Sequence, residues 1–214
     1  MALTLFYWPG ACSLVAHIAL EEAGAEFEPV RVTLAQGEHL KADYLAINPH
    51  ARVPAPATED GVITENIAIL NYVADRFGAE GSVPAGDAYA AAHCNQLLGW
   101  FALSVHIAFA QIWRAERFTR DETVHGAIQA GGREALARQF AEIDGLCGEN
   151  WLAGRGFSAA DSYALTFFRW GRRIGFDMSA WRNWAGLCAR TVERPAVQRA
   201  LEREGLQAEE FRPE

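Results

Sequence analysis

Strand-forming sequence occurs only in the first third of this chain. Apolar or alternating runs of strand length stand at residues 3–8 ("LTLFYW"), 26–34 ("EFEPVRVTL"), 55–59 and 62–64, and strand signals vanish from residue 87 onward. Helical periods fall between them. Residues 12–24 place Leu14, Val15, Ile18 and Ala19 on one face and stop at Gly24; a short helix follows near 40–46; residues 65–78 turn Ile67, Leu70 and Val73 inward. Strand, helix, strand, helix, strand, strand, helix predicts a small α/β domain over residues 1–78, combining parallel pairing with an Asp60-Gly61 hairpin. Pro29 marks its strand as an edge or a strand start. Residues 79–86, rich in Gly, Pro and Ala, read as a linker. Beyond it, residues 87–214 carry helical patterns near 87–117, 121–147, 158–173 and 179–193, with a last one after Pro195. Ser158 and Asp161 are spaced as a capping box with a short acid in place of the usual Glu. The fold class is α/β plus all-α.

Composition excludes several function classes. The net charge of −8 leaves no basic surface for nucleic acid. The imbalance sits in the first part, with four basic against eleven acidic residues up to Glu80 and fifteen against sixteen after it, as two domains of different character would show. Lys41 is the single lysine. No run approaches the roughly 18 uninterrupted apolar residues of a membrane span, and the N-terminus has no basic, cleavable leader pattern, so cytoplasm is the expected location. Cys12, Cys94, Cys147 and Cys188 are too far apart for a CxxC or metal pair and read as free thiols.

One of these thiols stands in a chemically special place. In "YWPGACSLVAHIALEEAG" a strand runs into Pro9-Gly10 and a helix opens on Cys12. The first turn of a helix presents unpaired N–H groups and a partial positive charge, which stabilise a thiolate. Cys12 is thus either a partial thiolate near neutral pH, a stabiliser of another thiolate bound beside it, or a small buried hydrophobe. His106 lies mid-helix between Val105 and Ile107, where a histidine is either a core residue or a site group.

"YWPGACS", "INPHARVPAP", "ITENIAILNYVAD" and "FSAADSYAL", in this order over nearly the whole chain, resemble cytosolic glutathione transferases, and Pro-Gly-x-Cys-Ser with His106 resembles their bacterial beta class. The resemblance implies a thioredoxin-like N-terminal domain followed by an all-helical domain that lines the electrophile site. It implies glutathione as co-substrate, no metal, Cys12, Ser13 and His106 as catalytic groups, and Tyr7 as a third candidate partner of the sulfur. Val53-Pro54 is expected to be a cis peptide whose backbone pairs with the cysteinyl part of glutathione. Glu65 and Asn66 are expected at the γ-glutamyl end, and Leu34, Gln36 and Arg52 at the remainder. The loop "LAQGEH" lacks the lysine often found there, so Gln36, His39 or Arg52 must meet the glycyl carboxylate. Trp8, Pro9, Phe109, Trp113 and Trp170 are the expected walls for a small apolar electrophile. The resemblance also implies a homodimer with the first two helices of the second domain against a twofold mate, and residues 87–117 are apolar over more than one face; the alternative is that the extra face lines the cleft. Three activities fit: conjugation of glutathione, monothiol disulfide exchange through Cys12, and binding of apolar ligands with little turnover.

Overall fold

A computed structural model describes residues 3–78, 81–154 and 156–213. The N-terminal part is a four-stranded mixed sheet in the order β2-β1-β3-β4. β1 (Leu3–Tyr7) runs parallel to β2 (Phe27–Arg31) and antiparallel to β3 (Ala55–Thr58), which forms a hairpin with the two-residue β4 (Gly61–Val62). Pro29 is tolerated because β2 is an edge strand with a single neighbour. The helices α1 (Ser13–Glu22), α2 (Ala42–Leu45) and α3 (Asn66–Phe77) complete a thioredoxin-like α/β unit, as expected.

α1 decides how the two parts join. It is buried from Ser13 to Glu21, on every face rather than one. Its apolar side meets the sheet and α3; its other side meets α7 (Ala159–Arg173) and α9 (Pro195–Glu204) of the second part. The polar residues on that side find partners there. Glu22 pairs with Arg194 at 2.6 Å, Glu21 with Arg199 and Arg203 at 2.7 and 2.9 Å, and His17 with Glu204 at 2.9 Å. A buried polar group needs such a partner, so these residues select α9 as the docking surface.

The second part is helical. α4 (Ala88–Trp100), a five-residue π-turn (Phe101–Val105) and α5 (His106–Trp113) form one continuous run. By length and composition this run could span a membrane. Here it packs against α6 (His125–Leu146) and α7 instead. α8 (Arg182–Val192) closes the bundle. The capping box opens α7 as expected: Asp161, fully buried, accepts from the Ser158 N–H and Oγ–H and from the Leu152 N–H, each at 2.9 Å. Ala79 and Glu80 of the expected linker lie outside the described residues. The next part of it is structural rather than loose. Ser82 and Val83 are buried, Ser82 Oγ donates to the Leu70 carbonyl at 2.6 Å, and the Ala159 N–H donates to the Ser82 carbonyl at 2.9 Å.

Candidate active site

A cleft of about 1000 Å³ lies between the two parts, and most of the expected site residues line it. Its floor is the turn after β1. Gly10 adopts φ +65, a left-handed conformation natural to glycine. Its N–H donates to Glu204 Oε2 at 2.7 Å and its carbonyl accepts from Trp170 Nε1 at 2.8 Å, so α9 and α7 hold the two peptide groups that flank Gly10. A Cβ there would fall 2.2 Å from an Arg169 guanidinium nitrogen. Behind the turn, Ser13 Oγ donates to the Trp8 carbonyl (3.1 Å) and accepts from the Trp8 N–H (3.2 Å).

That arrangement redefines Ser13. Its hydroxyl is fully buried and committed to the loop backbone, and Ser13 is absent from the cleft wall. Tyr7 is placed differently from the expectation as well. It is buried against His17, with ring centroids 5.5 Å apart, and its hydroxyl donates to the Arg203 carbonyl at 3.4 Å. Both are loop supports. β-strand alternation explains Tyr7: it shares the inward face of β1 with Leu5.

Cys12 does face the cleft, but not as a thiolate. Burial pushes its thiol up to about 12, outweighing the lowering by its own and the Ser13 backbone N–H and by Arg52, while Glu65 adds to the rise. The helix-terminus effect is present with the expected sign, yet it is a fraction of a charge acting against desolvation of a whole one. Of the roles open to Cys12, this burial favours a protonated thiol beside another thiolate over a partial thiolate of its own, and its Sγ donates to the Val53 carbonyl at 3.4 Å. Cys94, Cys147 and Cys188 are free and buried, as expected.

The Val53-Pro54 peptide is cis, as expected. Its turn is fixed from behind: Tyr44 Oη and Asn48 Nδ2 both donate to the Arg52 carbonyl, at 2.6 and 2.8 Å. This leaves the Arg52 side chain exposed at the cleft edge. Leu34 and His39 stand beside it, whereas Gln36 is exposed outside the cleft. His39 is nine-tenths buried, and its Nδ1 has no hydrogen-bond partner among the described residues.

Glu65 precedes α3 with φ +68, an unfavourable conformation for a residue with a Cβ. The first-turn N–H groups of α3 open toward the cleft beside it. Asn66 was expected to donate its amide to a ligand carboxylate. Instead its Nδ2 donates to the Cys12 carbonyl (3.0 Å) and to Tyr163 Oη (3.4 Å), tying the Cys12 turn to α7. The anion-binding capacity here resides in backbone N–H groups.

The opposite wall comes from the helical part. The π-turn ends at Val105, and His106 enters the cleft at the next residue; such turns shift the register of the side chains that follow. His106 packs edge-on to Trp170 with centroids 5.0 Å apart. Burial, with the positive charges of Arg52 and Arg117, holds its pKa down to about 4, so the imidazole is neutral at pH 7. Trp8, Pro9, Trp113 and Trp170 supply apolar surface, with Leu103 and Ile107. Phe109 is fully buried behind them, stacked on Trp113 at 5.2 Å, and supports the wall without reaching the cleft. Among the contributors that the sequence reading did not name, Leu103, Ile107, Arg114, Arg117 and Arg173 line the cleft from the helical part, and two others hold its floor and back. Tyr163 lines the cleft near enough to Cys12 for the two to influence each other electrostatically, and Glu204 anchors the floor from α9.

Comparison with known proteins gives a consistent picture. Residues 1–75 match the family described as the N-terminal domain of glutathione S-transferase. Over 206 residues the chain is 32% identical to glutathione S-transferase GstA of Escherichia coli O157:H7, an alignment covering 95% of this chain and 100% of that protein. Among solved structures, a bacterial beta class glutathione S-transferase of Sphingomonas chungbukensis has TM-score 0.83 at 33% identity, covering 95% of this chain and 100% of the other. A sphingomonad glutathione S-transferase complexed with glutathione has TM-score 0.81 at 35% identity, covering 95% and 100%. The chain therefore belongs to the glutathione S-transferase family of enzymes and is of the bacterial beta-class kind.

Proposed function

We propose that the cleft binds glutathione and joins it, through its sulfur, to a small electrophile with an apolar body. The observation that carries this is the convergence of three features on one cleft: the cis Val53-Pro54 turn, the α3 N-terminus with Glu65, and the Cys12 thiol. Glutathione has two carboxylates, one ammonium and a thiol, and the cleft offers a complement to each. The γ-glutamyl carboxylate meets the free N–H groups of α3, and its ammonium meets Glu65. The cysteinyl backbone pairs with Val53 as an added strand. The glycyl carboxylate meets Arg52 and His39, the groups that stand where Gln36 does not. A related sphingomonad enzyme holds glutathione, which supports this reading.

In this account Cys12 is a hydrogen-bond donor. Its protonated Sγ–H turns from the Val53 carbonyl to the glutathione sulfur, and the backbone N–H groups of the α1 terminus add their partial charge; both favour the glutathione thiolate. The thiol proton leaves to solvent. The thiolate then attacks the electrophilic carbon, a C–S bond forms, and the leaving group departs with its electron pair. His106, neutral, orients a water or the sulfur. Trp113 and Trp170 hold the electrophile against the thiolate.

A second reading is monothiol disulfide exchange, favoured by the position of Cys12 as the thiol that faces the cleft. One variant separates the two. Cys12→Ala is expected to slow conjugation of chlorodinitrobenzene by at most about tenfold, or 1.4 kcal/mol, since the backbone donors remain. If Cys12 were the nucleophile of a mixed disulfide, the same change would abolish reduction of a glutathionylated disulfide. Wild-type protein that neither binds glutathione nor conjugates it would defeat the proposal. We also propose a homodimer, supported by the exposed Tyr89, Ala92 and Gln96 on α4. Leu103 and Ile107, by contrast, face the cleft, which accounts for part of that helix's extra apolar surface. Light scattering that gives a monomer mass at micromolar concentration would refute the dimer.

A further inference from the structure

The charge of the cleft is opposite to that of the chain. The protein carries −8 overall, yet four arginines, Arg52, Arg114, Arg117 and Arg173, line the cleft against a single carboxylate, Glu65. Elsewhere some arginines pair with carboxylates, Arg169 with Glu210, Arg194 with Glu22, Arg199 and Arg203 with Glu21, while Arg120, Arg138 and Arg182 make no such pair among the described residues. Among the described residues, Arg52, Arg114 and Arg117 make neither a salt bridge nor a side-chain hydrogen bond, although Glu116 is the chain neighbour of Arg117. Arg173 is different, for it shares the field of Glu210.

These three guanidinium groups act on one another and on the same small space. Arg117 is lowered by burial and then by Arg52 and Arg114; His39 by burial and Arg114; His106 by burial, Arg52 and Arg117. Cations gathered from both parts of the molecule around one space, with Glu65 and Glu116 as the carboxylates near them and with all three guanidinium groups exposed to solvent, give the space a positive field that attracts an anion. On the Arg52 side of the cleft, the nine-tenths-buried His39 leaves Nδ1 unpartnered among the described residues.

Glutathione does not use all of this charge. On the reading above, on which this inference rests, Arg52 and His39 serve its one glycyl carboxylate, and its other carboxylate lies at α3. Arg114 and Arg117, at and beyond the end of α5, line the cleft with Trp113, within the fields that also reach His39 and Arg52. We infer that the second substrate is an acid: an apolar or aromatic electrophile bearing a carboxylate or a similar anionic group, held by Arg114 and Arg117 with its body against Trp113. Guanidinium groups recognise carboxylates through paired N–H donors, and the apolar wall holds the remainder.

The test uses unreactive probes, so that it does not depend on turnover. Dinitrobenzoate and neutral meta-dinitrobenzene are titrated into the full-length protein without glutathione, and quenching of tryptophan fluorescence is read. The expected result is at least about tenfold tighter binding of the benzoate. In Arg114→Gln/Arg117→Gln that preference falls to about twofold or less, while Arg120→Gln, outside the cleft, keeps it. Glutathione affinity, titrated separately, changes by less than about threefold in the double variant. Equal binding of the two probes overturns the inference, and so does a preference that survives the double substitution. A parallel tenfold loss of glutathione affinity also overturns it, because the two arginines would then serve the tripeptide. If wild-type protein fails to bind glutathione, the reading under Proposed function falls, and the probe pair still decides whether the cleft selects an acid.

Discussion

Glu204 is the residue on which the site's floor depends, and Glu204→Ala measures how much. Its Oε2 accepts the Gly10 N–H at 2.7 Å and its Oε1 lies 2.9 Å from His17 Nδ1, with both side chains of the pair fully buried. Truncation leaves two buried polar groups without a partner, at about 1–3 kcal/mol each. The space left by the carboxyl and its methylenes adds a smaller cavity cost, reduced wherever water enters. A loss of about 3–5 kcal/mol follows, the size expected for breaking a buried pair. Glu204→Gln retains a carbonyl oxygen for one of the two donors and should lose about half as much. The assay is the urea midpoint followed by tryptophan fluorescence, converted with the measured slope. Activity should fall with stability, because a Gly10 turn released from α9 no longer fixes Cys12. If Glu204→Ala loses less than about 1 kcal/mol, or Gln is as damaging as Ala, the clamp does not work as described.

Three further outcomes are expected. Gly10→Ala combines φ +65 with a 2.2 Å approach to Arg169 and should lower stability by at least about 2 kcal/mol, whereas Gly24→Ala, with φ +60 and open space, should cost about 1; equal urea midpoints for the two would refute the contact. His106 is lowered from 6.5 to about 4, so the unfolded chain takes up a proton that the folded one refuses. Stability should therefore fall as pH drops from 6.5 toward 4, by up to about 3 kcal/mol, and His106→Phe should flatten that decline in a pH series of urea titrations. Cys12, raised to about 12, should be alkylated by iodoacetamide at a rate still climbing well above pH 9 in the glutathione-free protein; a plateau below about pH 8 would show a thiolate instead.

The pattern of strands and helices was legible because hydrophobic period is a local property. Pro29 announced an edge strand, and Ser158 with Asp161 announced a cap. Of the candidate site, local sequence and chemistry marked Cys12 at a helix start, whereas Val53-Pro54 and Glu65 were expected from the family resemblance. Ser13 and Tyr7 show the limit. Each carries a hydroxyl close in sequence to Cys12, yet whether it reaches the cleft depends on a strand's alternation and on a loop's internal hydrogen bonds. Gln36 and His39 lie three residues apart, and consecutive single turns of 3₁₀ helix (Leu34–Gln36 and Glu38–Leu40) put only His39 on the cleft. Glu204 and Tyr163 are distant in sequence from the turn they support, and nothing near them marks the partnership. The ionisation of the Cys12 thiol stayed open in the sequence for a similar reason. A helix terminus can be seen in sequence, but desolvation depends on what packs above it.

The most direct test of the account is a crystal structure of this protein with glutathione. The account predicts the tripeptide between Val53 and α3, its γ-glutamyl carboxylate on the backbone N–H groups of the α3 first turn and its glycyl carboxylate at Arg52 and His39. Its sulfur should lie within hydrogen-bond reach of Cys12 Sγ and out of reach of Ser13 Oγ and Tyr7 Oη. Glutathione seated with its sulfur on Ser13 or Tyr7, or bound outside this cleft, would contradict it.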